Sequence, residues 1–339
     1  MPKTCFDPAA SMASAALSES TLSGPTMGTR WAVRYQAPPD FDHGALSRDL
    51  ALTVESVDAQ MSPWKPESGL MRLNRSEPGQ WVALPADLLG VLARAVQIGA
   101  LSGGAYDAAI GDLVNAWGFG AVRDAPDPAA IRRAAASHRP AHLWLDIDGE
   151  RARARKRMPM TLDLCGIAKG YAVDRMAQVM DRHGVAHALA GLDGELRACG
   201  ARADGRPWAV ALESPQEGRR AAHGVIELVD LSVATSGDYR HWIRVGSERL
   251  AHTMDGRRAA PVRNPVASVT VLAASCMDAD AWATALLVAG PGEGPALAQR
   301  MGLDALFLLR CEGRLTEIGL GRFAAHPCRA RIAAATPAP

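Results

Sequence analysis

The sequence predicts one α+β unit, mainly antiparallel sheet with helices flanking it. Three observations carry that expectation. Strand-like segments come in hairpin runs divided by turn residues, at 143–157, 187–215 and 225–255. Helical periodicity falls in a few separate segments, so β–α–β patterns are rare. No internal repeat and no long Pro/Gly linker divides the 339 residues, a length that allows one large domain or two. The expected organisation is a disordered leader over 1–23, a folded domain over 24–323 and a disordered tail over 324–339.

Taken in order, PTMGTRWAVRY (25–35) alternates as a strand behind a Met-Gly-Thr turn. Residues 43–60 carry a helical pattern in Leu46, Leu50, Leu52, Val54 and Val57. A Pro- and Ser-rich loop follows over 61–75, and its Trp64 sits between two prolines. An indole is costly to leave in water, so it should cover something. Residues 85–101 form a second amphipathic helix, and 103–120 read as a glycine-rich loop that fits no phosphate-loop pattern. A polar insertion over 124–140 should hold one short helix at 128–137. The basic run Arg151 to Arg157 alternates with Ala behind a Gly149 turn, which fits a solvated hairpin strand better than a nucleic-acid contact.

Composition bounds the function classes. Hydrophobic residues make up 48% of the chain and charged residues 22%, as in globular proteins with a large core. A formal net charge of +1 gives no global field for nucleic acid or an anionic membrane. In the leader, Asp7, Pro8, Ser11 and Ser14 interrupt any apolar signal core, Cys5 has no apolar segment before it, and no window reaches the length of a membrane span. The six cysteines form no C-x-x-C pair and match no zinc spacing. A cytoplasmic chain with free thiols is the expectation.

The residues from Met160 to Met176 are the centre of the reading. Met160 to Leu164 resemble an apolar strand with Asp163 inside it, Gly166 turns the chain, and a helix follows that Gly184 is placed to stop. Strand, glycine turn and helix N-terminus together form an anion site, and Lys169 in the first turn has an unfavourable place unless an anion offsets it. An ordinary strand–helix joint with a surface lysine fits the same residues. Further on, a strand at Val269 to Ala274 leads into Ser275-Cys-Met-Asp278, the form of a capping box. Asp280 and Thr284 then share one helix face and offer oxygen ligands suited to Mg²⁺ or Ca²⁺. Asp278 and Asp280 equally fit a role in complementing the helix dipole.

The motifs TMGTRW, MSPWKPESGLMRLN, GGAYDAAIGDLVNAWGFG, LDLCGIAKGYAVDR, ATSGDYRHW, HTMD and DADAWAT occur in the order found in the ApbE family, the Mg²⁺-dependent FAD:protein FMN transferases. The chain resembles that family from about Gly24 to Gly321. The resemblance implies an ApbE-like, T-fold-like architecture. It implies FAD contacts at Met27, Trp64, Ala105, Tyr106, Asp107, Asp163, Lys169 and His252. It implies Mg²⁺ ligands at Asp280, Thr284 and the Gly166 carbonyl. His252 is the candidate general base, and Lys169 would add positive potential at the phosphates.

Four departures from the family pattern stand out. Cys165 replaces a usual Gly or Ser, and Ala283 stands where some members carry a second Asp. His252 leads into Thr-Met-Asp-Gly-Arg-Arg, and Gly191-Leu192-Asp193-Gly194 replaces the usual G-G-D. The activity implied is FMN transfer from FAD to a Thr or Ser hydroxyl of a client flavoprotein, with AMP released. Two rivals remain: an FAD pyrophosphatase giving FMN and AMP, and a non-catalytic FAD-binding assembly factor. No nucleic acid and no membrane span are expected.

Overall fold

The computed structural model describes residues 17–121, 125–215, 221–240, 242–245, 248–311 and 313–324. Its centre is an eight-stranded sheet in the order Ser18–Thr26, Thr29–Ala37, His187–Leu192, Glu195–Cys199, Ser232–Gly237, Val266–Ala273, Asp304–Cys311 and Arg314–Leu320. Every neighbouring pair is antiparallel. The α+β expectation with mainly antiparallel sheet therefore holds.

Strand alternation sorts two cores onto the two faces of this sheet. On one face Ala305, Phe307 and Leu309 join a large core closed by the helices His43–Met61, Ala86–Leu101, Ala168–Arg182 and Cys276–Arg300. On the other, Leu306 and Leu308 pack with Trp208, Leu212, Ile226 and Leu228 of a two-stranded sheet, Trp208–Glu213 with Ala222–Leu228. The first hairpin turns at Met27 and Gly28, with φ of 45° and 71°. Two consecutive left-handed residues make the turn type whose twist matches its strands.

Several boundaries differ from the sequence reading. The first strand begins at Ser18, inside the expected leader, and pairs with Thr29–Ala37 throughout its length. Residues 1–16 and 325–339 lie outside the described residues. A short helix, Gly69–Arg75, occupies the end of the 61–75 loop because the Ser68 hydroxyl caps it, accepting from Met71 N–H at 3.1 Å. Another, Gly111–Ala116, interrupts the glycine-rich stretch. The expected helix at 128–137 forms as Pro128–Ser137, with the Asp127 side chain as its cap.

Met160 to Leu164 do not form a strand. The segment's backbone partners do not form a ladder. Leu162 pairs with the Asn74 side chain through both its N–H and its C=O, Asp163 N–H goes to Ala108 C=O, and Thr161 C=O accepts from Gly111 N–H. Apolar composition alone cannot tell this from a strand. The basic run does form one. Arg153–Lys156 pairs with Leu145–Asp148 and Val82–Ala83. Arg153 and Arg155 stack on Trp81 and pair with Asp148 and Asp146 at 3.0 and 2.9 Å, so the strand's arginines are engaged within the hairpin. Among the described residues no helix is long and apolar enough to cross a membrane.

The long C-terminal helix is two helices joined at Gly290, where φ 74° and ψ −173° break it ahead of Pro291. At its start Ser275 Oγ accepts from Asp278 N–H at 3.3 Å, which is half of the expected capping box. The other half is absent. Asp278 instead makes a bidentate pair with Arg94, at 2.7 Å on both arms. The amides of Cys276 and Met277 go to Asp174, each at 2.9 Å, so the neighbouring helix completes the cap that Ser275 begins.

Candidate active site

The Ala168–Arg182 and Cys276–Arg300 helices approach closely at Gly170, where an added Cβ would lie 2.3 Å from the Cys276 carbonyl oxygen. Only a residue without a side chain permits that distance. The approach brings Gly170 N–H to Asp280 Oδ2 at 3.0 Å and leaves Oδ1 for another partner. One turn further along, Thr284 Oγ1 meets Ser236 Oγ at 2.9 Å. Gly166 faces the same hydroxyl, since a Cβ there would stand 3.0 Å from Thr284 Oγ1. Gly166, Asp280 and Thr284 thus converge on one place.

They form part of a cavity of about 550 Å³, a size usual for small-molecule sites. Trp64, Ala105, Tyr106, Asp107, Asp163, Cys165, Lys169 and His252 also line it. Trp64 stands at its rim, 62% exposed, and offers a free aromatic face to an occupant. Ala105 and Tyr106 are buried in the wall, and His252 stacks edge-on to Phe119 at 6.4 Å between ring centroids. Met27 does not line the cavity. Its place in the tight turn directs it against the main core, and Thr29 instead reaches the site by donating to Asp193 at 3.4 Å.

Two of the acidic residues singled out in the sequence turn part of their carboxylates inward. Asp163 Oδ1 accepts from Cys165 N–H at 2.7 Å, closing the turn that presents Gly166. Asp107 Oδ1 accepts from Ala109 and Ala141 N–H at 2.9 Å each, and its Oδ2 lies 3.0 Å from His138 Nε2. Asp107 therefore holds the wall of the cavity together. Cys165 opens onto the cavity, while burial and the neighbouring Asp163 carboxylate push its thiol well above the usual range. It sits there as a neutral group.

The electrostatic centre is Lys169. Its Nζ lies 3.1 Å from Asp193 Oδ2 and 3.0 Å from Glu195 Oε1. Burial alone would lower the ammonium's pKa, but Glu195, Asp280 and Asp193 outweigh it and hold the lysine charged. Burial, with Glu195 beside it, pushes Asp280 up to about 7. The sequence alone does not single out two of these carboxylates: Asp193 stands in an altered turn and Glu195 in an ordinary strand pattern. The sequence around them, GLDGELRAC, holds an acidic residue on each side of a turn glycine, and that pairing is the signal it offers.

The donor set at Asp280, Thr284 and Gly166 is all oxygen, the chemistry a hard cation such as Mg²⁺ prefers. Among the described residues no cluster of three or more His, Cys, Asp or Glu side chains has metal-binding geometry. What the structure brings together there is one carboxylate, Asp280, one hydroxyl, Thr284, and the backbone at Gly166. Ala283, fully buried in the core, adds nothing to it.

An antiparallel α+β fold with one deep cavity, walled by a helix N-terminus, a charged lysine and oxygen donors, defines a small-molecule enzyme built to handle anionic groups. The ApbE family model matches residues 27–307, and the chain belongs to the ApbE family. It is 34% identical over 309 residues to the FAD:protein FMN transferase of Vibrio cholerae, covering 89% of this chain and 91% of that one. Its likeness to the Treponema pallidum FAD:protein FMN transferase is 30% over 297 residues, 83% of this chain and 82% of that one. The structure of the flavin transferase ApbE from Vibrio cholerae superposes with a TM-score of 0.82 at 32% identity, over 92% of this chain and 99% of that chain. The apo flavinyl transferase ApbE of Pseudomonas stutzeri gives 0.79 at 32% identity, over 90% and 95%.

Proposed function

We propose that this chain transfers the FMN half of FAD to a Thr or Ser hydroxyl of a client flavoprotein and releases AMP. The observation that carries the reading is the convergence of Lys169, Gly166, Asp280 and Thr284 on one wall of a cavity whose rim is Trp64. The resemblance of the whole chain to enzymes named FAD:protein FMN transferase supports it.

In this reading the flavin ring lies against Trp64 and the pyrophosphate faces Lys169 and the helix N-terminus that follows Gly166. Asp280, Thr284 and the Gly166 carbonyl would hold Mg²⁺, which when bound neutralises charge on the phosphates. Lys169, kept charged by its carboxylate neighbours, stabilises the negative charge that grows as the pyrophosphate divides. The acceptor hydroxyl attacks the FMN phosphorus, its oxygen forms the new phosphoester, and the bond to AMP breaks. His252 on the cavity wall is the candidate to accept the hydroxyl proton. Water in place of the acceptor would give FMN and AMP.

Incubation with FAD, Mg²⁺ and candidate flavoproteins from the same genome tests the proposal. The expected result is AMP release with an intact-mass gain of one FMN on the acceptor. AMP and free FMN with every acceptor unmodified would favour the pyrophosphatase, and FAD bound without any AMP would favour a carrier.

A further inference from the structure

Glu195 opens the strand Glu195–Cys199 immediately after the Asp193–Gly194 turn. It is 4% exposed and lines the cavity. One oxygen is accounted for: Oε1 lies 3.0 Å from Lys169 Nζ. The other is not, because Oε2 is buried with no hydrogen-bond partner. A buried carboxylate oxygen without a donor forfeits its hydration and gains nothing in return. Lys169 does not require this arrangement, since Asp193 already pairs with it at 3.1 Å from a more exposed position. A side chain with one anchored and one orphaned oxygen, on the wall of a ligand cavity, is arranged for a donor that arrives with the ligand.

We infer that Glu195 is a positioning and substrate-contacting residue: Oε1 fixes the Lys169 ammonium, and Oε2 accepts a hydroxyl from the bound flavin nucleotide. The inference rests on the proposed placement of FAD in this cavity. The choice of a hydroxyl follows from charge. A carboxylate beside the lysine that faces the pyrophosphate cannot itself face phosphate oxygens, so its partner must be a donor. FAD carries ribityl and ribose hydroxyls on either side of its pyrophosphate. Asp193 does not compete for this role, because it is bound by Thr29 and approached by Arg240 as well as by Lys169.

The variant Glu195→Gln keeps the shape of the side chain and removes its charge. Its FAD affinity is measured by flavin fluorescence titration without Mg²⁺, so that no turnover intervenes, and its thermal midpoint is measured in parallel. The expected result is an FAD Kd weakened by about tenfold or more, with only a modest fall in midpoint, because Asp193 remains paired with Lys169 and the amide keeps the shape of the side chain. In a Lys169→Ala background, Glu195→Ala should weaken FAD binding further. Affinity in that double variant equal to or better than in Lys169→Ala alone overturns the substrate contact. An unchanged Kd in Glu195→Gln, or a Kd loss accompanied by a large fall in midpoint, overturns the inference while leaving the cavity reading in place. Wild-type protein that binds no FAD overturns the cavity reading itself, and this inference with it.

Discussion

Gly170 N–H donates to Asp280 Oδ2 at 3.0 Å, and this bond joins the helix that carries Lys169 to the helix that carries Thr284. The contact exists because neither backbone is held off by a side chain at position 170. Lysine, carboxylate and hydroxyl thereby keep a fixed relation on one wall.

Gly170→Ala should be strongly disruptive for a conservative change. The new Cβ would lie 2.3 Å from the Cys276 carbonyl and 2.9 Å from Asp280 Cβ, and both are rigid parts of a packed helix pair. Overpacking of this kind costs about 1–3 kcal/mol, and the helices must separate to relieve it. Denaturant unfolding should show that loss, and AMP release from FAD should fall more than stability does. Wild-type stability and activity would show that the helices do not meet as described.

Asp174 is the second clasp. It accepts from Cys276 N–H, Met277 N–H and Ser275 Oγ, each at 2.9 Å, and pairs with Arg197. Asp174→Ala leaves the Cys276 and Met277 amides and the Arg197 guanidinium without their partner, with only the Ser275 cap remaining, and should destabilise the fold by about 3 kcal/mol. Thermal unfolding monitored by circular dichroism checks this, and a loss under about 0.5 kcal/mol would contradict it.

Asp280 should couple stability to pH and to Mg²⁺. Its carboxyl sits at about 7 in the folded chain, raised chiefly by burial, against about 3.9 when unfolded. Between those values the folded state holds more protons than the unfolded one, so this residue's contribution to stability falls as pH rises from about 4 to about 7. A cation that binds the ionised carboxylate offsets that fall. Mg²⁺ should therefore raise the melting temperature more at pH 8 than at pH 5.5, and the difference should vanish in Asp280→Asn. Equal Mg²⁺ increments at both pH values would contradict the assignment.

The parts legible in the sequence are those whose signal is local. The 43–60 and 85–101 helices announce themselves by a 3.6-residue apolar period and form as His43–Met61 and Ala86–Leu101. Thr29–Ala37 alternates cleanly and buries Trp31, Val33 and Tyr35. Met160 to Leu164 read wrongly because their backbone partners are Asn74 and Ala108, far away in sequence. The split of the capping box has the same origin, since Arg94 and Asp174 come from other helices. At the site, motif residues such as Trp64, Asp163, Lys169, Asp280 and Thr284 line one cavity, whereas Asp193 and Glu195 look like hairpin residues until the sheet folds them against Lys169. Met27 carried a motif but not a position on the wall.

The most direct test of the account is AMP release from FAD by Asp280→Ala in the presence of Mg²⁺. Asp280 is the only carboxylate in the proposed oxygen donor set, and its removal takes away the anion that the cation requires. The account predicts a folded protein, by circular dichroism, with AMP release and FMN transfer abolished. Full activity in that variant with Mg²⁺ present would contradict the metal site and the mechanism built on it.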